Sequence, residues 1–258
     1  MFPYIVIFGK TVGLYGVLSC IGALAAGFLL YHLLAKSDKA SVDDMILFLL
    51  FVGVGMLLGG HLLYALTNLN KVKHLFSTTS YPQLRTAFFE LFGGSVFYGG
   101  LIGGSICGVI GTRVLKLNTQ LYADGMAVCA PLFHFFGRIG CFFAGCCYGI
   151  ESEFGFLLNG VRRFPVQLLE ATANLLIFTL MLVLHAKRKM HGRLFLLYLA
   201  IYAPVRFSDE FFRGDPIRGF VFSLSTSQFI SIFIELFAIV ALFYLQRKKQ
   251  QHQSSAKP

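Results

Sequence analysis

Hydrophobic positions in this chain gather into seven long runs, near residues 12–35, 45–66, 89–112, 122–147, 165–186, 194–212 and 226–246, parted by short polar or turn-forming segments. Crossing about 30 Å of hydrocarbon takes about 20 helical residues, so each run predicts a membrane-spanning helix. Only Lys10 precedes the first run as a cation, and the run reaches Ala35 without a cleavage break. That pattern predicts a retained first span and not a removed signal peptide. Tyr81-Pro82 and Gly214-Asp215-Pro216 mark turns in the connections. With no internal repeat and no dividing linker, residues 1–258 are expected to form one integral membrane domain, with a polar tail from about 247.

Composition agrees. The 258 residues are 56% hydrophobic and 13% charged, where soluble domains carry about 25% charged residues, so the fold class is an all-α membrane protein of about seven transmembrane helices. A net charge of +10 raises the question of nucleic acid. The cations lie mainly in short segments between apolar runs, and no basic, aromatic-interleaved soluble region exists to bind one, so no nucleic-acid partner is expected.

Twelve of the 22 basic residues follow the odd-numbered runs: Lys36, Lys39, Arg113, Lys116, Lys187, Arg188, Lys189, Arg193, Arg247, Lys248, Lys249 and Lys257. Eight fall on the opposite side: Lys10, Lys71, Lys73, Arg85, Arg162, Arg163, Arg213 and Arg218. The richer side is cytoplasmic by the positive-inside rule, which puts the N-terminus outside and the C-terminus in the cytoplasm. The outer side then receives the longer connections 67–88, 148–164 and 213–225, where function is expected.

The remaining two arginines lie within spans. Residues 134–149 read His-Phe-Phe-Gly-Arg-Ile-Gly-Cys-Phe-Phe-Ala-Gly-Cys-Cys-Tyr-Gly. In a helix, His134, Arg138, Cys141 and Gly145 share one face. A charge at the bilayer centre costs at least about 2.5–3.5 kcal/mol, so Arg138 calls for a partner or a ligand. In the sixth run Tyr202, Arg206, Glu210 and Arg213 form a polar stripe. Two arginines from separate spans facing one cavity suit an anionic headgroup; alternatively, Arg206 and Glu210 neutralise each other while Arg213 snorkels.

Other positions leave their roles more open. Gln167, Glu170 and Asn174 share a face of the fifth run, with Glu170 a partner for an arginine. In the third run Gly100 and Gly104 form a small-xxx-small pair for close helix packing, while Gly99-Gly100 beside Tyr98 could also present backbone to a polar cavity. Gln228, Ser231 and Glu235 on the last run suit helix–helix hydrogen bonding. Cys141, Cys146 and Cys147 are open to three roles: buried packing, metal ligation with His134, or thiol exchange at Cys146-Cys147. The paired spacing of a zinc or redox motif is missing, so no metal and no cofactor is expected.

In order and spacing these motifs resemble the bacterial prolipoprotein diacylglyceryl transferase family along nearly the whole chain. The resemblance rests on Tyr15-Gly16, the run Phe97-Tyr98-Gly99-Gly100-Leu101-Ile102-Gly103, Asp124, Pro131, Gly137-Arg138-Ile139-Gly140, Gly145, Gly149, Pro165-Val166-Gln167 with Glu170, Arg206 with Glu210 and Arg213, and Gln228. It implies a multi-pass enzyme of the bacterial cytoplasmic (inner) membrane that moves a diacylglyceryl group from phosphatidylglycerol to a cysteine thiol of a secreted prolipoprotein or related acceptor. The family's essential arginines fall on Arg138 and Arg206, its first-span tyrosine on Tyr15 and its sixth-span tyrosine on Tyr202.

Candidate catalytic residues are therefore Arg138 and Arg206, to stabilise the departing glycerol phosphate, with His134, Tyr98 or Glu210 to accept the thiol proton. Candidate substrate-binding residues are Tyr15, Gly99, Gly100, Cys141, Cys146, Gln167, Glu170, Tyr202 and Arg213. The chain departs from the family at four places. It has Tyr98 in place of a histidine, Cys141 in place of an asparagine, Cys146 in place of a glutamate, and Phe164 in place of the histidine before Pro165. A non-catalytic lipid-binding or transport protein that kept the arginines, or a membrane thiol oxidoreductase using Cys146 and Cys147, are the alternatives.

Overall fold

The computed structural model describes residues 3–7, 9–35, 41–69, 73, 77, 80–92, 94–215, 220–221 and 223–255. Lys36, Lys39, Lys71, Arg218 and Lys257 of the charge pattern, and Pro216 of the turn signal, lie outside them. The described chain is mostly helical: α1 (Leu14–Ala35), α2 (Val42–Thr67), α3 (Tyr81–Phe92), α4 (Phe97–Val114), α5 (Thr119–Ala144), α6 (Val166–Ala186), α7 (Leu194–Asp209) and α8 (Thr226–Ser255). Among the described residues five segments are long and apolar enough to cross a membrane: α1, α2, α5, α6 and Thr226–Lys248 of α8. A helix satisfies its own backbone groups, which is what hydrocarbon demands of a spanning segment.

Four of the seven expected runs end differently from the hydropathy pattern, the last by continuing as helix to Ser255. The run 89–112 divides into α3 and α4, because the Val96 N–H donates to the Gly60 carbonyl (3.1 Å) and residues 94–96 are not helical. The run 122–147 starts earlier and stops at Ala144, where Gly145 takes φ +71°. The run 194–212 leaves α7 only 16 residues long, since Glu210–Phe212 tighten into a 3₁₀ turn.

Backbone contacts divide the chain into two compact units. The first comprises Met1–Lys36, Gln120–Arg218 and Phe222–Pro258. Within it α1 and α5 run antiparallel: a Cβ added at Gly140 would touch Tyr15, one at Gly22 would touch Phe133 and Phe136, and one at Gly125 would touch Leu30. Asp124 of α5 clamps the entry to α7. Its carboxylate accepts the Gly192 N–H and the Leu194 N–H (3.0 Å), and His191 Nδ1 lies 3.1 Å away. The start of α8 is a capping box, in which Ser225 Oγ accepts the Gln228 N–H (3.1 Å) and Gln228 Oε1 accepts the Ser225 N–H (3.0 Å).

The second unit comprises Ser37–Thr119 with Gly219–Val221. Helix α2 starts at Ser41, whose hydroxyl accepts the Asp44 N–H (3.0 Å), and Asp43 and Asp44 face the positive end of its dipole. Gly55 and Gly59 of α2 meet Gly103 and Gly99 of α4 so closely that a Cβ at any of the four would run into a facing carbonyl. Gly100 and Gly104 face Met56 and Val52 of the same helix. Only small residues allow two backbones this near each other.

Short strands occupy the connections: β1 (Tyr4–Ile7) pairs with β2 (Lys10–Gly13) and β3 (Glu151–Leu158) with β4 (Val161–Arg163), and two further two-residue strands are β5 (Phe220–Val221) and β6 (Leu224–Ser225). The all-α expectation thus holds for the long helices and not for these segments. In β3–β4 the pair Leu158↔Val161 brackets Asn159-Gly160, with φ +51° and +81°. Those values suit the two-residue turn that joins right-twisted strands. The segment before this hairpin is threaded between two others: Gly149 pairs with Arg213, the Ile150 N–H donates to the Phe212 carbonyl (2.9 Å) and the Phe164 N–H to the Ile150 carbonyl (2.9 Å). A Cβ on Gly149 would meet the carbonyls of Phe164 and Phe212.

Candidate active site

The first unit buries a connected set of charged side chains contributed by α5, α6, α7 and the 3₁₀ turn. Glu170 of α6, 1% exposed, is its hub. Arg138 Nε of α5 stands 2.9 Å from Glu170 Oε2. On the other oxygen, the Tyr202 hydroxyl of α7 donates at 3.2 Å, His134 Nε2 lies at 3.5 Å and Arg206 Nε at 4.0 Å. One carboxylate from a third helix therefore joins the two arginines. The Asn174 amide, a turn along α6, donates to the Glu170 carbonyl (2.8 Å).

Arg206 continues the network. Its Nη1 sits 2.6 Å from Glu210 Oε2, and its Nη2 donates to Ser227 Oγ of α8 (3.0 Å). Glu210 is also 4.0 Å from Arg213 Nη1. Arg213 closes a fork on Asp215, with Nε to Oδ1 at 2.9 Å and Nη2 to Oδ2 at 2.7 Å. Of the alternative reading, the Arg206–Glu210 pairing is present, while Arg213 forms a bidentate carboxylate pair instead of snorkelling. Among the described residues the hydrogen bonds and ion pairs of Arg138 all run through Nε, to His134 Nε2 (3.2 Å) and to Glu170.

Helical spacing accounts for much of this. His134 and Arg138 are one turn apart on α5 and both are buried, and Cys141 follows on the same face. Gln167, Glu170 and Asn174 share the buried face of α6. Tyr202 is fully buried, stacked on Tyr198 (5.8 Å, 18°) and edge-on to His134 (5.4 Å). Tyr15 at the start of α1 is 48% exposed; it packs against Gly140 and is in electrostatic reach of Arg138, Cys141 and Cys146.

Beyond α5 the chain folds back. The Gly145 N–H bonds the Phe142 carbonyl and the Cys146 N–H the Cys141 carbonyl, both at 3.2 Å, which is the paired pattern of a Schellman helix end with glycine in the left-handed position. Gly145 therefore ends the helix instead of continuing the face of His134, Arg138 and Cys141. The Gln167 amide pins the returning chain by donating to the Cys146 carbonyl (2.8 Å).

Tyr98, Gly99 and Gly100 belong to the second unit, where all three are buried on α4 and Gly99 packs on Gly59. Three participants escaped the sequence reading. Ser227 holds Arg206. Asp215 holds Arg213, although its Gly214-Asp215 context had marked only a turn. Asp209 is 4% exposed, and its Oδ2 has no hydrogen-bond partner among the described residues. A carboxylate one turn before Arg213 was the available signal for Asp209.

Helices of membrane-spanning length and a buried arginine–carboxylate network define a polytopic membrane protein with a charged internal centre. The sequence model of the prolipoprotein diacylglyceryl transferase family matches residues 3–244. The chain is 33% identical over 256 residues to a phosphatidylglycerol–prolipoprotein diacylglyceryl transferase of Clostridium tetani, covering 95% of this chain and 97% of that protein. A Clostridium perfringens protein, phosphatidylglycerol–prolipoprotein diacylglyceryl transferase 2, is 32% identical over 263 residues, with 97% of both covered. A phosphatidylglycerol–prolipoprotein diacylglyceryl transferase of Helicobacter hepaticus is 32% identical over 278 residues, covering 97% of this chain and 93% of that protein. The chain belongs to the prolipoprotein diacylglyceryl transferase family.

Proposed function

We infer that this protein transfers the diacylglyceryl group of phosphatidylglycerol to the cysteine thiol of a prolipoprotein or a related acceptor. The observation that carries the reading is the buried Arg138, whose single Nε engages Glu170 and His134 and whose two Nη groups make no hydrogen bond or ion pair among the described residues. It supports a phosphate site, because a guanidinium held by one edge presents its other donors in fixed directions.

In the transfer, a sulfur–carbon bond forms at the glyceryl carbon that carries the phosphate ester, and the carbon–oxygen bond breaks. The electron pair leaves on glycerol phosphate, where Arg138 and Arg206 stabilise the added charge. His134 takes the thiol proton, and Glu170 at 3.5 Å holds the imidazolium that results. Tyr202 keeps Glu170 in place through its hydroxyl. Glu210 sets the direction of Arg206, while Gln167 holds the Cys141–Cys146 turn beside Arg138, and Tyr15 and Arg213 line the approach.

The chain works as one domain in the bacterial cytoplasmic membrane, with α4 and α7 completing seven spans. Its N-terminus is outside and its C-terminus cytoplasmic, an orientation supported by the twelve-to-eight split of basic residues. To test the activity, purified protein is incubated with phosphatidylglycerol and a lipobox peptide, and the diacylglyceryl adduct and glycerol phosphate are sought by mass spectrometry. Losing a charge-stabilising donor costs about 10²–10³ in rate, so Arg138→Ala should fall by at least that much while remaining folded by circular dichroism. Transfer by Arg138→Ala within about ten-fold of the unsubstituted protein would remove Arg138 from its role.

A further inference from the structure

The turn that ends α5 also gathers the cysteines. The Schellman pattern brings residue 146 back over residue 141, and Cys146 Sγ approaches the Cys141 carbonyl at 3.7 Å. Cys147 then takes φ +54°, a left-handed conformation uncommon for residues with a side chain. As a result the sulfur atoms of Cys141, Cys146 and Cys147 all lie within 4.8 Å of one another, although the three residues have no paired-cysteine spacing. We propose that Cys141, Cys146 and Cys147 form a binding site for a soft monovalent metal ion of the Cu(I) type, held by three thiolates.

Three features select that ligand. Among the described residues the donor set is all sulfur, with His134 and the carboxylates outside it, and soft thiolates prefer Cu(I), zinc or iron–sulfur centres over hard cations. Among the described residues it offers three donors, whereas a structural zinc site is closed by four. Three thiolates around a monovalent ion carry two net negative charges, and two guanidiniums are in electrostatic reach: Arg138 of Cys141 and Cys147, and Arg213 of Cys147.

On binding, each thiol gives up its proton to solvent and each sulfur forms one bond to the metal; no electron changes hands, and no oxidant is needed. Cys146 is exposed while Cys141 is buried, so the ion enters past Cys146 and needs no opening of the helix bundle.

The experiment is a competition for Cu(I) between the detergent-purified, fully reduced protein and a chromophoric Cu(I) chelator, without lipid or peptide. One Cu(I) per chain should be withdrawn, and a Cys20→Ser/Cys107→Ser/Cys129→Ser variant should withdraw the same amount. Cys146→Ser and Cys147→Ser should each weaken binding at least about ten-fold; Cys146 is exposed, so its variant tests the ligand set without threatening the fold. X-ray absorption at the copper edge should show three sulfur neighbours. No withdrawal of Cu(I), equal affinity in Cys146→Ser, or a nitrogen neighbour in the metal's shell overturns the site. None of these readouts uses the transfer reaction, so failure of the metal site and failure of the proposed activity are separable.

Discussion

Replacing Glu170 by glutamine keeps the shape of the hub and removes its charge. Its two arginines are not equally exposed to the loss. Arg206 keeps Glu210 at 2.6 Å and Ser227 at 3.0 Å, whereas Arg138 has Glu170 as its one carboxylate partner among the described residues. The substitution therefore strands one buried guanidinium, 6% exposed, and stranding a buried charge costs about 3–5 kcal/mol. At about 2–4 °C per kcal/mol for a chain of this size, the melting temperature should fall by about 6–20 °C. The assay is a thermal scan of detergent-solubilised protein followed by circular dichroism. Adding Arg138→Met to Glu170→Gln removes the stranded charge, so the double variant should melt above the value expected from adding the two single effects. A fall below about 2 °C for Glu170→Gln, or strict additivity in the double variant, would refute the idea that Glu170 exists to neutralise Arg138.

Two further outcomes follow from the packing. Asp124→Ala removes the acceptor of two backbone N–H groups at the entry to α7; a hydrogen bond to a charged group is worth about 1.5–3 kcal/mol, so amide exchange at residues 192–198 should accelerate at least about ten-fold, with Asp124→Asn intermediate, and unchanged exchange there would rule the clamp out. Gly103→Val places a branched side chain against the Gly55 carbonyl; the yield of folded protein should drop sharply while Gly137→Ala, which meets nothing within 4 Å, expresses normally, and equal yields would deny the close α2–α4 approach.

How much of this was legible beforehand differs from residue to residue. The face shared by His134, Arg138 and Cys141 needed only helical spacing, and the structure keeps it. Glu170 was recognisable as a partner for an arginine because a buried cation demands one, but nothing local says that it serves Arg138 and Arg206 together. Gly145 misled as a further member of the face shared by His134, Arg138 and Cys141. Glycine is small enough for a helix face and also suits a left-handed helix end, and only the returning hydrogen bonds to Cys141 and Phe142 decide between them. Asn159-Gly160 was a readable hairpin signal inside what looked like a plain loop. The Ser225–Gln228 capping box was equally readable, and Gln228 had suggested a contact between helices instead.

The chain alone determined what its composition and periodicity control: apolar segments of spanning length, the helical faces on which His134, Arg138 and Glu170 stand, and a motif order specific enough to resemble one family. Those properties are local, set by side-chain transfer free energy and by a repeat of 3.6 residues. Tertiary structure decided the partners, because an ion pair depends on distance in space: Glu170 between two arginines, Asp215 on Arg213, Ser227 on Arg206. It also decided the sulfur cluster, where a reversal of the backbone at Gly145 brings together three thiols whose spacing in the chain predicts no site.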